Sequence, residues 1–412
     1  KMFFEDLSKK DVYLNLVSFF IGLTMLSMML TTPTEVRVVL FTISILGLIF
    51  LKGSIDLLKQ MFTKYYIYLI FVLICFTSYF LNFDNTFPFK NYPEVENFFI
   101  FFTFFICLNQ IQHHYPLILR HCIYTTVFFL SFSLPLHLFY LESSMLTATS
   151  FFYNFDTESY SNKSTLAIYL ALLFPFLIFE LSKKINLINA YSIFIIAISI
   201  FYIFSRSALI LTFVGLILCI VSFERRLSIT AIFVSFAIFF SIWFFEITPK
   251  KYNEMKMQTN IEYFNSYSYD PNESLNKSFS TDSARFKYLK NSYEGFIEKP
   301  IFGHGVASFR RDNPVFADDG SLLRHPVTHN DFAQIIYELG LIGLIIFLGM
   351  LYFNLKSLLI NMQKTEDKIM AIQLLVLILA INSINLIDHI LFWFIMAITY
   401  KSFADRKFLQ PN

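Results

Sequence analysis

The sequence predicts an all-α integral membrane protein of about twelve transmembrane helices, with a large, partly helical loop on the outer face between the ninth and tenth. Three observations carry that fold class. The 412 residues are 56% hydrophobic and only 15% charged, and 54 Phe with 23 Tyr exceed what one soluble core would bury. The apolar runs approach the roughly 20 residues that cross a bilayer and do not alternate with polar residues, so they read as helices and not as barrel strands. Only those two structures satisfy every backbone donor and acceptor in hydrocarbon. The third observation is a one-sided distribution of Lys and Arg.

Taken in order, apolar windows fall near 12–30, 36–51, 66–82, 95–109, 121–141, 165–181, 187–204, 207–223, 228–246, 331–355, 368–386 and 389–403. No small-residue cleavage site follows the first run, which reads as a retained span. The breaks at Ser205–Ser207 and Asn385–His389 are short, but without them 187–223 and 368–403 would each be about twice the crossing length. Cys75, Cys107, Cys122 and Cys219 lie inside apolar runs without metal-ligand spacing, as small hydrophobes. The chain thus divides into spans one to nine over 1–246, an outer loop over 247–330, and three spans with a cytoplasmic tail over 331–412. That loop is long for a structureless connection. A helix is expected around 282–297, capped at Asp282 or Ser283, with Phe286, Leu289, Tyr293 and Phe296 at helical spacing and Pro300 and Gly303 ending it.

With a cytoplasmic N-terminus, the short inner segments collect Lys9, Lys10, Lys52, Lys59, Lys64, Arg120, Lys183, Lys184, Arg225 and Arg226, among others. The short outer connections hold only Arg37, Lys90, Lys163 and Arg206. Short cytoplasmic segments are enriched in basic residues, so both termini are placed in the cytoplasm and the span count is even. A net charge of +2 gives no case for nucleic acid as a partner.

Three outer-side features could carry chemistry. Arg206, in FSRSAL, sits in a tight turn between two apolar spans. A guanidinium there needs an anionic partner or a function, the alternative being snorkelling to the interface. His329 and Asn330 precede the tenth span, with Gly340 and Gly343 about three and four helical turns further on and so on the same face, where small residues would admit a neighbouring helix. The alternative is that His329 caps that helix. Arg285 lies near the start of the loop helix. Alone it reads as a solvated surface charge, but a helix N-terminus and two arginines together would suit a diphosphate. The outer acidic pairs Asp318–Asp319 and Asp156–Glu158 read as solvation and not as a metal site. Zincin, Walker and nucleophile-elbow motifs do not occur.

The spacing of His329, Asn330, Gly340 and Gly343 resembles the signature of the O-antigen ligase and O-antigen polymerase superfamily. FSRSAL, the stretch ARFKYLKNSYEGFIEKPIFGHGVASF and SNKSTLAIYLALLFP match in the same order, so the resemblance covers roughly 160–355. It implies a bacterial inner-membrane glycosyltransferase of the GT-C type, inverting, without a cofactor and metal-independent. The implied donor is a glycan on undecaprenyl diphosphate. Arg206 and Arg285 would then hold the diphosphate, and His329 would act at the acceptor as base or orienting group. A ligase would use a lipid A-core sugar as acceptor, and a polymerase a lipid-linked repeat unit. The His329 motif and single long loop favour the ligase. From another class, twelve spans also suit a secondary transporter, but the two halves are unlike and midspan charges are almost absent.

Overall fold

A computed structural model describes residues 9–29, 34–52, 62–82, 94–139, 160–183, 186–203, 205–222, 281–316, 322–324, 327–359, 365–387 and 389–400. Within them stand α1 (Lys9–Met29), α2 (Thr34–Lys52), α3 (Tyr66–Leu81), α4 (Glu94–Asn109), a 3-10 turn (Gln112–His114), α5 (Tyr115–Phe139), α6 (Tyr160–Lys183) and α7 (Leu187–Ile203). They are followed by α8 (Arg206–Ser222), α9 (Thr281–Glu298), a short α10 (Ser308–Asp312), α11 (Asp331–Leu359), α12 (Thr365–Ala380) and α13 (Ile390–Thr399). A helix occupies every apolar window except 228–246, which lies outside the described residues together with 223–280, Asp156–Glu158 and Asp318–Asp319. Three helices, α1, α6 and α11, are long and apolar enough to cross a membrane, and α2, α3, α4, α7, α8 and α13 are shorter apolar helices. Among the described residues the fold is helical apart from one small antiparallel pair, β1 (Val315–Phe316) with β2 (Leu322–Arg324), inside the loop.

Both short breaks are present. Ser205 caps α8, its hydroxyl accepting from Ala208 N at 3.4 Å. α12 stops at Ala380, short of the expected boundary, because Asn382 and Ser383 turn back to donate to the carbonyls of Ile378 and Ala380.

Lipid tails offer no hydrophobic gain for helix association, so close approach and internal hydrogen bonds hold the bundle. A Cβ on Gly22 would come within 2.9 Å of His121 O, and one on Gly47 within 2.9 Å of Val17, which sets α1 tightly against α5 and α2. The described apolar stretch of α6 is almost wholly buried and packs on α7, α8 and α12. Its Pro175 withdraws a helix donor. Gly215 of α8 makes room for the proline ring, and Gln373 of α12 donates to Leu172 O at 3.0 Å. The aromatic surplus fills the seam of α3, α4 and α13, where Tyr68 stacks on Phe105 at 4.3 Å between Trp393 and Tyr400. Asn109 closes the lower end of that seam by donating to the terminal carbonyls Ala397 O and Tyr400 O. All four cysteines are free and buried in helices, as read from the sequence.

Candidate functional site

α11 begins with a cap that is Asn330, not His329: Asn330 Oδ1 accepts from Ala333 N at 3.0 Å, and its amide donates to Asn382 O at 3.2 Å. The capping alternative for the histidine therefore falls away. His329 stands one residue outside the helix, half-buried, with φ +55°. Such a backbone is strained for a residue with a side chain and persists only where the surroundings impose it. Here Thr328 imposes it: its buried hydroxyl donates to Asn330 O at 2.8 Å and accepts from Asn330 N at 3.2 Å, bridging over the histidine.

Asp331, fully buried, anchors this corner to the turn between α12 and α13. Its carboxylate accepts from Leu386 N at 3.0 Å and Ile387 N at 3.1 Å, while its own N donates to Ile381 O at 2.8 Å. Below it, Gln334 and Glu338 continue the same buried face, with Gln334 bonded to Glu338 and to Asn385, which in turn bonds Thr328. The sequence reading missed all of these. Asn385 had served only as a break signal, and Asp331 had no partner until the chain folded.

Gly340 does not share a helical face with His329, as the spacing suggested. It breaks α11, at φ +62° and ψ −156°, a conformation essentially reserved for glycine. The break is filled by the loop after α9. Leu341 N and Ile342 N, deprived of their helical acceptors, donate to Pro300 O and Ile301 O, while Tyr337 O and Glu338 O accept from His304 N and Gly305 N. The exchange satisfies the groups that a helix break exposes. It also needs bare backbone on both sides: a Cβ on Gly340 would lie 2.6 Å from Ile301 O, and one on Gly303 would strike Glu338. The two small positions therefore admit a loop and not a neighbouring helix. Gly343 is small for a local reason, since the break folds Leu339 onto it.

α9 starts at Thr281, so Asp282 and Ser283 are inside the helix and not at its cap, and it ends at Glu298 just ahead of Pro300, as expected. It packs on α11 through Gly295, which lies under the Tyr337 ring, and through Tyr288, which reaches that ring by way of Phe309. Of the four apolar residues at helical spacing, Phe286, Leu289 and Tyr293 are exposed and only Phe296 is half-covered. Arg285, half-buried, sits one turn before Tyr288. The Tyr337 hydroxyl donates to Asp312 Oδ2 at 3.0 Å, and His304 stacks on its ring at 4.6 Å.

Arg206 is the first residue of α8. α8 runs antiparallel to α12: Lys368 Nζ donates to Ser222 O at 3.3 Å, and Gly215 faces Val376 nearer the middle. The start of α8 consequently lies at the same end of the bundle as the 381–387 turn that holds Asn330 and Asp331. Arg206, Arg285 and His329 are thus on three separate elements gathered at one end, with a helix N-terminus at the first of them.

Residues 191–348 match the family model of the O-antigen ligases. A candidate polysaccharide ligase of Rickettsia conorii is 41% identical over 71 residues, which is 15% of this chain and 16% of that protein. The chain therefore matches about a sixth of that relative's length. The family match, which covers less than half of the chain, takes in every residue of the motif, Arg206, Arg285, His329, Asn330, Gly340 and Gly343.

Proposed function

We propose that the protein is an O-antigen ligase, a multi-pass glycosyltransferase with about twelve spans, of the GT-C type and with both termini cytoplasmic. It would move a glycan from undecaprenyl diphosphate to a sugar hydroxyl of lipid A-core at the outer face of the bacterial inner membrane. The observation that carries this reading is His329. A histidine held half-open in a strained conformation, next to the helix cap and at the same end as two motif arginines, is what acceptor activation asks for.

The chemistry follows from the leaving group. Diphosphate departs already anionic, so the site needs fixed positive charge where the anomeric carbon–oxygen bond breaks, a role given to Arg206 and Arg285. The N-terminus of α8 adds its backbone dipole beside Arg206. The imidazole of His329 takes the acceptor hydroxyl's proton as the new glycosidic bond forms, and undecaprenyl diphosphate leaves from the opposite face, inverting the carbon. In this scheme the charge that develops is met by arginine, and no metal is called on.

The direct test is transfer in vitro by purified protein from an undecaprenyl-diphosphate glycan, with lipid A-core and lipid-linked repeat offered separately, and with and without chelator. Transfer to lipid A-core that survives chelation is the expected result. Extension of the lipid-linked repeat alone would reassign the protein as a polymerase, and uptake of a solute without any transfer would favour a transporter.

A further inference from the structure

The outward face of α9 carries an apolar stripe from Phe286 to Ile297. Phe286 is 78% exposed and Tyr293 62%, with Leu289 and Ile297 on the same stripe, and the stripe continues past the helix end through Ile301 and Phe302. Exposed lysines flank it, Lys287 and Lys290 on the helix and Lys299 just beyond, with Lys290 pairing Glu294 at 3.7 Å. This combination of an apolar stripe and basic flanks is that of a helix lying in a membrane interface.

The occupant of the stripe is indicated by what it joins. Ile301 O accepts from Ile342 N, and the neighbouring Leu341 begins the outward stripe of α11, which runs on through Ile345, Leu348 and Tyr352. α11 is long and apolar enough to cross a membrane, so its outward stripe is a lipid-facing surface, and the α9 stripe is its uninterrupted extension.

Helix lengths give the level. Below the break, Leu341–Leu359 rises about 28 Å at 1.5 Å per residue, close to the roughly 30 Å of a hydrocarbon core. From the same end of the bundle, α12 rises about 24 Å to Ala380, and Asp331 is bonded to the next residue, Ile381. Asp331 and Leu341 therefore stand at similar heights, and the helical segment between them crosses the bundle instead of rising out of it. α9 is laid against that crossing segment.

We propose that α9 is an interfacial helix, with Phe286, Leu289, Tyr293, Ile297, Ile301 and Phe302 immersed in the outer edge of the bilayer and Lys287, Lys290 and Lys299 at the level of lipid phosphates. Arg285 lies at the seam between this stripe and the face packed on α11, at the depth of a lipid-borne phosphate group. The inference requires only that α11 crosses a bilayer and stands whatever reaction the site performs.

The test uses the full chain in nanodiscs with a small fluorophore on single added cysteines, at Tyr293→Cys, Glu294→Cys and Leu348→Cys; the four native thiols are buried. Lipid carrying a spin-label quencher should quench the probe at 293 nearly as strongly as at 348 and several times more than at 294, with iodide giving the reverse order. Iodide quenching at 293 equal to that at 294 would overturn the proposal. So would a probe at 293 that neither quencher reaches, which would mean that another part of the chain covers the stripe, or an unquenched probe at 348, which would remove the bilayer from α11. Carbene-bearing photoreactive lipid on the unsubstituted protein gives a check free of variants: label in the peptide 286–302 is expected, and label on α11 without any there would refute the idea.

Discussion

At one end of the bundle the helices are tied by charge. Arg120 pairs Glu180 at 2.6 Å, and Lys183 reaches Glu180 and Glu366 at 3.6 and 3.8 Å, all with ordinary helical backbone. At the other end the ties are backbone groups and buried polar side chains, the carboxylate of Asp331 foremost among them. Every residue with positive φ among the described ones is also there: Gly303, Gly305, Ala307, His329 and Gly340. Charged ties made by the well-exposed Arg120 and Lys183 to the buried Glu180 depend on long, adaptable side chains, whereas backbone exchange fixes positions and admits few residues. Strain is retained where the surroundings over-determine it, and such places are candidate sites of function. The contrast thus marks a candidate working end without reference to any motif.

The sharpest way to break the contrast is to add a methyl group at the strained end and another within ordinary helix. Gly340→Ala puts a Cβ 2.6 Å from Ile301 O in a conformation only glycine adopts, and should cost upwards of about 3 kcal/mol. Thermal unfolding in detergent should show a large loss, with transfer abolished. Gly349→Ala, where a Cβ meets only the flexible tip of Ile67, should shift the midpoint little. Equal losses would mean that the loop exchange is not what holds the working end.

Next in size comes the loss of a tie. Asp331→Ala leaves the buried amides of Leu386 and Ile387 without their acceptor and should destabilise by about 3 kcal/mol. Arg120→Ala removes a partner that is itself well exposed and leaves the buried Glu180 with Lys183 at 3.6 Å, so the loss is limited to about 1 kcal/mol. The ranking is read from unfolding midpoints of the two variants side by side, and a reversed order would refute the claim that the two ends are held by different means.

Much of this was legible in the sequence, but unevenly. Apolar windows located the helices because length and hydropathy are local properties, and Pro300 and Ser205 marked boundaries by their own backbone chemistry. Faces and partners were harder. The spacing of Phe286, Leu289 and Tyr293 predicted a helix with an apolar side, but periodicity does not report whether protein or lipid covers that side. Gly340 was singled out but wrongly explained: counting turns assumed a continuous helix, and the break depends on IFGHG at 301–305, distant in the chain but bonded across it in space. Asn385 and Asp331 could be joined only by the fold.

The smallest expected effect on stability comes with the largest expected effect on activity. His329→Gly removes the imidazole while relieving a positive φ, so the fold should be as stable as before or more so, by up to about 1 kcal/mol. His329→Ala keeps the strain and should be slightly less stable than the glycine variant. Both should lose transfer if the histidine acts at the acceptor, and donor binding should survive in both, because the diphosphate is assigned to Arg206 and Arg285. Arg285→Lys should behave in the opposite way, with weakened donor binding and an unchanged midpoint, since a single ammonium does not replace a bidentate fork. A glycine variant that unfolds more easily would show that His329 is held there for packing, and one that keeps full transfer would remove it from the chemistry while leaving the architecture of the corner intact.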